Sequence, residues 1–159
     1  MWGKTTGVVD PYGVETLYSY DYAGNLTSTT DGNGNVTHYS YNSINLLSTL
    51  TDPLGQNVTY EYDRQGRLRQ EEDRNGSTIL YNYNSDNNLT FKDIEGKDEG
   101  EKYLYNKDGS LLAAINASYV DEYEYTPDGF IDKKIRNGSE ILDYQYDKNG
   151  NIINVTDGS

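Results

Sequence analysis

The 159-residue chain contains no cysteine, one histidine and three prolines. Without thiols there is neither a disulfide framework nor a thiolate metal site, a composition that suits the cytosol as well as many secreted bacterial proteins. Basic charge is scarce: 13 Lys and Arg stand against 26 Asp and Glu, a formal net charge of -13. Such a surface repels phosphate backbones, and the one basic concentration, Arg64, Arg67, Arg69 and Arg74, is interleaved with Glu71, Glu72 and Asp73. Nucleic acid is therefore not an expected partner. No apolar run approaches the ~20 residues of a membrane helix, and the opening Met1-Trp2-Gly3-Lys4 lacks the apolar stretch of a signal peptide. A soluble chain or soluble fragment, without membrane insertion, is expected. Bulky aliphatics are few as well. Leu, Ile, Val and Phe number 31 of 159, or 19.5%, too little for a conventional thick core.

Tyrosine, by contrast, is abundant, with 17 copies that can bury a ring while keeping a polar tip. Fourteen of them form Tyr-x-Tyr pairs at Tyr18/Tyr20, Tyr39/Tyr41, Tyr60/Tyr62, Tyr81/Tyr83, Tyr103/Tyr105, Tyr123/Tyr125 and Tyr144/Tyr146, in steps of 21, 21, 21, 22, 20 and 21. Each pair is followed by Asp21, Asn42, Asp63, Asn84, Asn106, Thr126 or Asp147, whose side chains can accept a backbone bond two residues on. Three positions later stand Gly24, Asn45, Gly66, Asn87, Gly109, Gly129 and Gly150, residues that enter the left-handed region cheaply. Two further on come Leu26, Leu47, Leu68, Leu89, Leu111, Ile131 and Ile152. A second turn closes most units, as in Asp31-Gly-Asn-Gly34, Asp52-Pro-Leu-Gly55, Asp73-Arg-Asn-Gly76 and Asp93-Ile-Glu-Gly96. Between turns, segments such as Asn57-Val58-Thr59-Tyr60-Glu61-Tyr62 alternate in polarity, and helix periodicity is absent. The expected fold is all-β: tandem antiparallel β-hairpin repeats of about 21 residues, about 14 strands forming a curved strip. Tyr is expected to stack near Tyr across strands. The stretch from Asp93 to Tyr103, with Glu95-Gly-Lys-Asp-Glu-Gly100, is expected to be a longer, mobile loop.

The unit Tyr-x-Tyr-Asp-x-x-Gly-x-Leu closely resembles the YD or RHS repeat of bacterial polymorphic toxins, toxin-complex subunits and animal teneurins. Its best copies are Tyr18-Ser-Tyr20-Asp21-Tyr-Ala-Gly24-Asn-Leu26, Tyr60-Glu-Tyr62-Asp63-Arg-Gln-Gly66-Arg-Leu68 and Tyr144-Gln-Tyr146-Asp147-Lys-Asn-Gly150-Asn-Ile152. Tyr103, Tyr105 and Gly109 carry the same signature, Asn replaces Asp or Gly at Asn42, Asn45, Asn84 and Asn87, and Ile115 to Val120 lacks an Asp/Gly turn. The pattern runs from residue 10 to 158, and the whole chain, 1–159, reads as one repeat segment with a partial repeat over 1–17 and repeats from 18, 39, 60, 81, 103, 123 and 144. The resemblance implies a strip of hairpins that spirals into a hollow shell around a toxic C-terminal domain, or a barrel in an adhesion receptor. It implies a non-enzymatic structural module of a larger bacterial protein, secreted or at the cell surface. Its partners would be neighbouring YD/RHS repeats and an enclosed toxin domain. The alternative is an extracellular module that binds glycans or a cell-surface protein.

Chemistry-bearing residues are sparse. His38 is the only histidine, and Glu71/Glu72 and Asp121/Glu122 are neighbours on strands and so face opposite ways, which leaves no catalytic pair. No cofactor or metal is expected. The oxygen-rich turns Asp31-Gly-Asn-Gly-Asn35 and Asp147-Lys-Asn-Gly-Asn151 space ligands like the start of an EF-hand loop, yet lack the Glu at the twelfth position and read as ordinary turns. Fourteen strands about 4.8 Å apart cover ~67 Å, about half of the ~140 Å circumference that a ~100-residue cargo would require. Open edges of this kind favour edge-to-edge self-association, which the net charge opposes at low salt.

Overall fold

The computed structural model describes residues 3–97 and 100–158, and all fifteen regular elements within them are strands. The chain divides into two units, Met1–Ile79 and Leu80–Ser159. In the first lie β1 (Gly7–Val9), β2 (Glu15–Tyr20), β3 (Leu26–Thr30), β4 (Val36–Tyr41), β5 (Leu47–Thr51), β6 (Asn57–Tyr62) and β7 (Leu68–Glu72). Each pairs antiparallel with its neighbour in the chain. β8 (Thr78–Tyr83) straddles the boundary. The second unit holds β9 (Leu89–Ile94), β10 (Glu101–Tyr105), β11 (Leu111–Ile115), β12 (Val120–Tyr125), β13 (Ile131–Arg136), β14 (Ser139–Tyr146) and β15 (Ile152–Asp157), again paired antiparallel in chain order. The fifteenth strand relative to the sequence reading is β1, in the partial repeat.

The turn columns form hairpins by one recurring pattern. In the first, Gly24 N–H donates to the Asp21 carbonyl (3.1 Å) and Asp21 N–H to the Asn25 carbonyl (2.9 Å), while an Asp21 carboxylate oxygen accepts Asn25 N–H (2.8 Å). The side chain thus holds the amide four residues on; at Asp63 it takes the amides of both Gln65 and Arg67. The fourth position has positive φ throughout, +80° at Gly66 and +61° at Asn45, which is why only Gly and Asn occur there. Two links differ from the sequence reading. Expected over Asp93–Gly96, the turn instead runs from Ile94, whose carbonyl accepts Lys97 N–H, because β9 continues to Ile94. β10 begins at Glu101, so strand occupies both ends of the expected loop; its middle, Asp98 and Glu99, lies outside the described residues. Between β11 and β12 the missing Asp/Gly turn is replaced by Asn116, whose side chain accepts Ser118 and Tyr119 N–H.

Burial is shallow. Among the described residues only Ala113, Ala114 and Asp121 are buried, while the tyrosine face is half-buried and residues between the pairs, such as Ser19 and Glu61, are exposed. The registers correct one expectation: the second Tyr of a pair stands opposite Leu or Ile of its own hairpin, as in Tyr20↔Leu26, Tyr62↔Leu68, Tyr105↔Leu111 and Tyr146↔Ile152, and among the described registers, which leave out those of β8, no Tyr stands opposite Tyr. A strand bearing Leu lies between successive tyrosine strands, so the rings pack on aliphatic neighbours.

A 21-residue period conflicts with strand alternation. The turns Asp21–Asn25 and Asp31–Asn35 each hold five residues, an odd number that preserves the face across the hairpin, so an odd step would deliver the next pair to the opposite face. A bulge resolves this in six of the repeats. Tyr20 faces Leu26 but Ser19 faces Ser28, leaving Thr27 as the extra residue, and the same shift recurs at Ser48, Arg69, Leu112, Asp132 and Ile153. Where the step is 20, from Tyr103 to Tyr123, the link from Asn116 to Tyr119 holds an even four residues and parity is again restored. Deleting Ser48 should therefore leave Tyr39 and Tyr41 on one face with Tyr18 and Tyr20 and turn Tyr60 and Tyr62 to the opposite face. Urea denaturation should show a loss well above the ~1 kcal/mol of an average substitution; an unchanged midpoint would refute the parity account.

Candidate functional site

The bulge that restores the face also shortens the next ladder. Pairing of β3 with β4 stops at Ser28↔His38, β5 with β6 at Thr49↔Thr59, β11 with β12 at Ala113↔Glu122 and β13 with β14 at Lys133↔Asp143. In each case the repeat's Leu or Ile lies two residues beyond the last pair, with a carbonyl that no ladder partner reaches. A tyrosine hydroxyl takes that place. Tyr41 donates to the Leu26 carbonyl (2.8 Å), Tyr62 to Leu47 (2.8 Å), Tyr105 to Leu89 (2.7 Å), Tyr125 to Leu111 (2.8 Å) and Tyr146 to Ile131 (2.6 Å). Tyr20 makes the same bond to Thr5 (3.0 Å), which stands in the leucine's place in the partial repeat. The second Tyr of each of these pairs is thus a latch onto the preceding repeat. Burial pushes the Tyr41, Tyr62, Tyr105 and Tyr125 phenols up, so each remains a protonated donor.

A second contact links the turns. The residue after the fourth turn position leans onto the corresponding turn of the next repeat: Asn25 Nδ2 donates to Asn45 Oδ1 (3.0 Å), Leu46 Cδ1 lies 3.5 Å from where a Cβ on Gly66 would sit, and the Phe130 ring covers Gly150 and stacks on Tyr146 with centroids 5.0 Å apart. Gly150 is consequently constrained twice, by φ and by the ring above it.

The sequence-derived signature maps onto this frame. Tyr20, Tyr62, Tyr105 and Tyr146 are latches; Tyr18, Tyr60, Tyr103 and Tyr144 are their half-buried companions; Asp21, Asp63 and Asp147 accept turn amides; Gly24, Gly66, Gly109 and Gly150 hold positive φ; and Leu68 stands opposite Tyr62. Hydrogen bonds from Asn25 and Asn151, first side chain and then backbone, hold the Asp21 and Asp147 carboxyls below the usual range. Sequence reasoning missed the carbonyl acceptors and the bulge residues, although the odd period was a signal for the latter.

It also missed a charged cluster in the second unit. Asp121, 3% exposed, receives Arg136 at two oxygens (2.7 and 2.8 Å) and Lys134 at 2.8 Å. Arg136 lies over the Tyr119 ring (4.6 Å), and the Tyr119 and Tyr103 hydroxyls both donate to Glu101. Asp121 and Glu101 occupy the position two before a tyrosine pair, elsewhere filled by Thr, Val, Ile or Leu. Buried Ala114, on the strand between them and paired with both Tyr103 and Asp121, provides the room. The Arg136 and then the Lys134 hydrogen bonds outweigh desolvation and hold the Asp121 carboxyl down to about 2.

Fold and site together define tandem β-hairpin repeats stitched by tyrosine latches, a structural repeat module. Its sequence matches the RHS Repeat family model at residues 2–36, 20–56, 41–78 and 62–90, more than half of the chain, and the protein belongs to that family. No curated protein matches it significantly. Among solved structures it is similar to the crystal structure of TcdB2-TccC3 without its hypervariable C-terminal region, at 17% identity and a TM-score of 0.70, and to that of TcdB2-TccC3-TEV, at 17% and 0.69. Each alignment covers 89% of this chain and 9% of the other, so the protein spans about a tenth of the length of these relatives.

The two tyrosines of a pair should separate in a mutant series. Tyr62→Phe removes the latch and leaves the Leu47 carbonyl without its donor, at a cost of about 1–2 kcal/mol, whereas Tyr60→Phe, which loses no comparable bond, should cost less than ~0.5 kcal/mol in urea titrations. Asp121 sets an acid limit. Its folded-state pKa lies below the ordinary 3.8, so its contribution is complete above that value and disappears as pH falls through about 2. The wild type should lose about 2 kcal/mol from this group across that window; Asp121→Asn should start less stable and lack this component of the acid slope.

Proposed function

We propose that the protein is a stretch of wall in an RHS β-shell, part of a larger secreted bacterial protein that encloses or presents a toxin or effector domain. The observation that carries this reading is the latch: each repeat completes its backbone bonding only when the next repeat supplies a hydroxyl, which suits a wall that propagates by addition. The family match and the likeness to TcdB2-TccC3, a far longer chain with a hypervariable C-terminal region, support it. In this reading residues 1–159 form one repeat segment with units from 18, 39, 60, 81, 103, 123 and 144, and the tyrosine, aspartate and glycine signature is structural. Its partners are the adjoining repeats of the same polypeptide.

The test uses the product of the entire reading frame. Limited proteolysis should leave a C-terminal domain at least tenfold more resistant within the intact protein than when expressed alone, and a Gly66→Val, Gly109→Val double variant should abolish that protection by straining two wall turns. Equal cleavage rates for enclosed and free domains would overturn the shell reading.

A further inference from the structure

Four Asn-Gly dipeptides lie in the chain, Asn33-Gly34, Asn75-Gly76, Asn137-Gly138 and Asn149-Gly150. In each, the glycine nitrogen and the asparagine Cγ are close enough along the chain to close a small ring, an intramolecular arrangement that favours attack. The fold treats the four differently. Gly34, Gly76 and Gly150 close regular turns, and their N–H groups donate to the Asp31 (2.9 Å), Asp73 (3.0 Å) and Asp147 (3.1 Å) carbonyls. Attack requires the nitrogen to release its proton and swing towards Cγ, and a turn hydrogen bond opposes both. Gly138 is the exception. It shares a two-residue hairpin tip with Asn137, closed by the Arg136↔Ser139 pair, and among the described residues its N–H has no acceptor. φ is +50° at Asn137 and +80° at Gly138, the left-handed turn that Asn-Gly prefers in such a tip.

The Asn137 side chain is also held as the other three are not. Val120 N–H donates to Asn137 Oδ1 (2.8 Å), and Asn137 N–H donates back to the Val120 carbonyl (2.9 Å). Among the described residues no donor reaches Oδ1 of Asn33, Asn75 or Asn149, whose turns bond through their backbone amides. A donor on Oδ1 draws electrons from Cγ and is already in place for the negative charge that develops on this oxygen during attack, as in an oxyanion hole. The tip is exposed, so water and hydroxide reach it.

We propose that Asn137-Gly138 is a self-modification site of the folded chain. The Gly138 nitrogen loses its proton to hydroxide and bonds to Asn137 Cγ, and the resulting oxyanion on Oδ1 rests on Val120 N–H. The Cγ–Nδ2 bond then breaks, and Nδ2 takes a proton from water and leaves as ammonia. The product is a succinimide. Water opens it at either ring carbonyl: addition at Cγ gives an ordinary aspartyl residue, and addition at the main-chain carbonyl gives an isoaspartyl link. The isoaspartyl link adds a carbon to the main chain of a two-residue tip, so the Arg136↔Ser139 closure loosens, and with it Arg136, which holds Asp121. The modification adds a negative charge, is irreversible, and does not depend on the shell-wall reading.

The test uses hydroxylamine, which traps succinimides and cuts the chain at them. In the folded protein at mildly alkaline pH, cutting after Asn137, to fragments 1–137 and 138–159, should run at least ~tenfold faster than cutting after Asn33, Asn75 or Asn149. In urea, where the four sites share one chemistry and no fold, the rates should converge. Without hydroxylamine, incubation should release ammonia and build up isoaspartate at position 137, read by isoaspartyl methyltransferase labelling. In that fraction the amides flanking the tip should exchange at least ~tenfold faster, whereas Asn137→Asp, which keeps the ordinary link, should retain their protection. Equal rates at the four sites in the folded chain, or a slower reaction at Asn137 than at any of the others, overturn the site; unchanged exchange in the isoaspartyl fraction overturns the loosening.

Discussion

A backbone carbonyl that the ladder leaves to a tyrosine hydroxyl governs the described latches. The bulge that returns the tyrosine pair to the same face ends the next ladder two residues short, and a buried or half-buried peptide oxygen without a donor costs about 1–3 kcal/mol. Tyrosine solves both sides of the problem: its ring lies on the half-buried face against Leu or Ile, and its hydroxyl reaches the start of the preceding strand. Phenylalanine would supply the area and leave the oxygen bare; serine would supply the hydroxyl without the reach. The separations between donor and acceptor, 14 residues at Tyr125, 15 at Tyr62 and 16 at Tyr105, show that the bond survives single-residue changes in the second turn. What is held constant is the contact, and repeat length adjusts around it.

Stability in such a chain is assembled from short-range terms. With three buried residues among those described, large aliphatic burial is not available, and each repeat relies on its own hairpin, one latch and a turn-to-turn contact. Sums of neighbour terms of this type need no central core and tolerate extension in either direction. The cost is that each turn must be right: a side chain that breaks a positive-φ position affects its own hairpin and the neighbour whose side chain rests on it, as Phe130 rests on Gly150.

Much of this architecture is legible in the residues because the repeat is read seven times. Strand class, turn positions and the requirement for Gly or Asn at the fourth turn residue follow from columns such as Asp21-Gly24 and Asn42-Asn45. Tyr-on-Tyr packing does not follow, since spacing along the chain gives the period and not the register; the leucine two residues past the glycine occupies the place where a tyrosine partner was expected. The Asp93 turn moved by one residue because Lys92 and Phe91 pair with β10, a tertiary preference that outweighs the local Asp-x-x-Gly signal. The Asp121 cluster was invisible for a different reason: its partners are set by the lateral register of β12 and β13, which no local motif encodes.

That cluster sits where the pattern is most disturbed. The step from Tyr103 to Tyr123 is a residue short, its second turn has no glycine, and the Asn116 side chain accepts the amides of the link. Here the position two before the pair, which elsewhere carries an aliphatic or Thr, carries Glu101 and Asp121, and the hydrogen bonds lost with the regular turn are replaced by Tyr119, which ties the link to Glu101 through its hydroxyl and to Arg136 through its ring. Arg136 in turn closes on Asp121, and Lys134 lies between Asp121 and the Tyr123 ring. Removing both cations would strand a carboxylate that only 3% exposure separates from full burial, so the cluster is a specification of register more than a source of net stability. An irregular repeat is thereby locked to its neighbours by charge geometry where the regular ones are locked by turns, and the tyrosine latch of Tyr125 on Leu111 keeps its ordinary length across the irregularity.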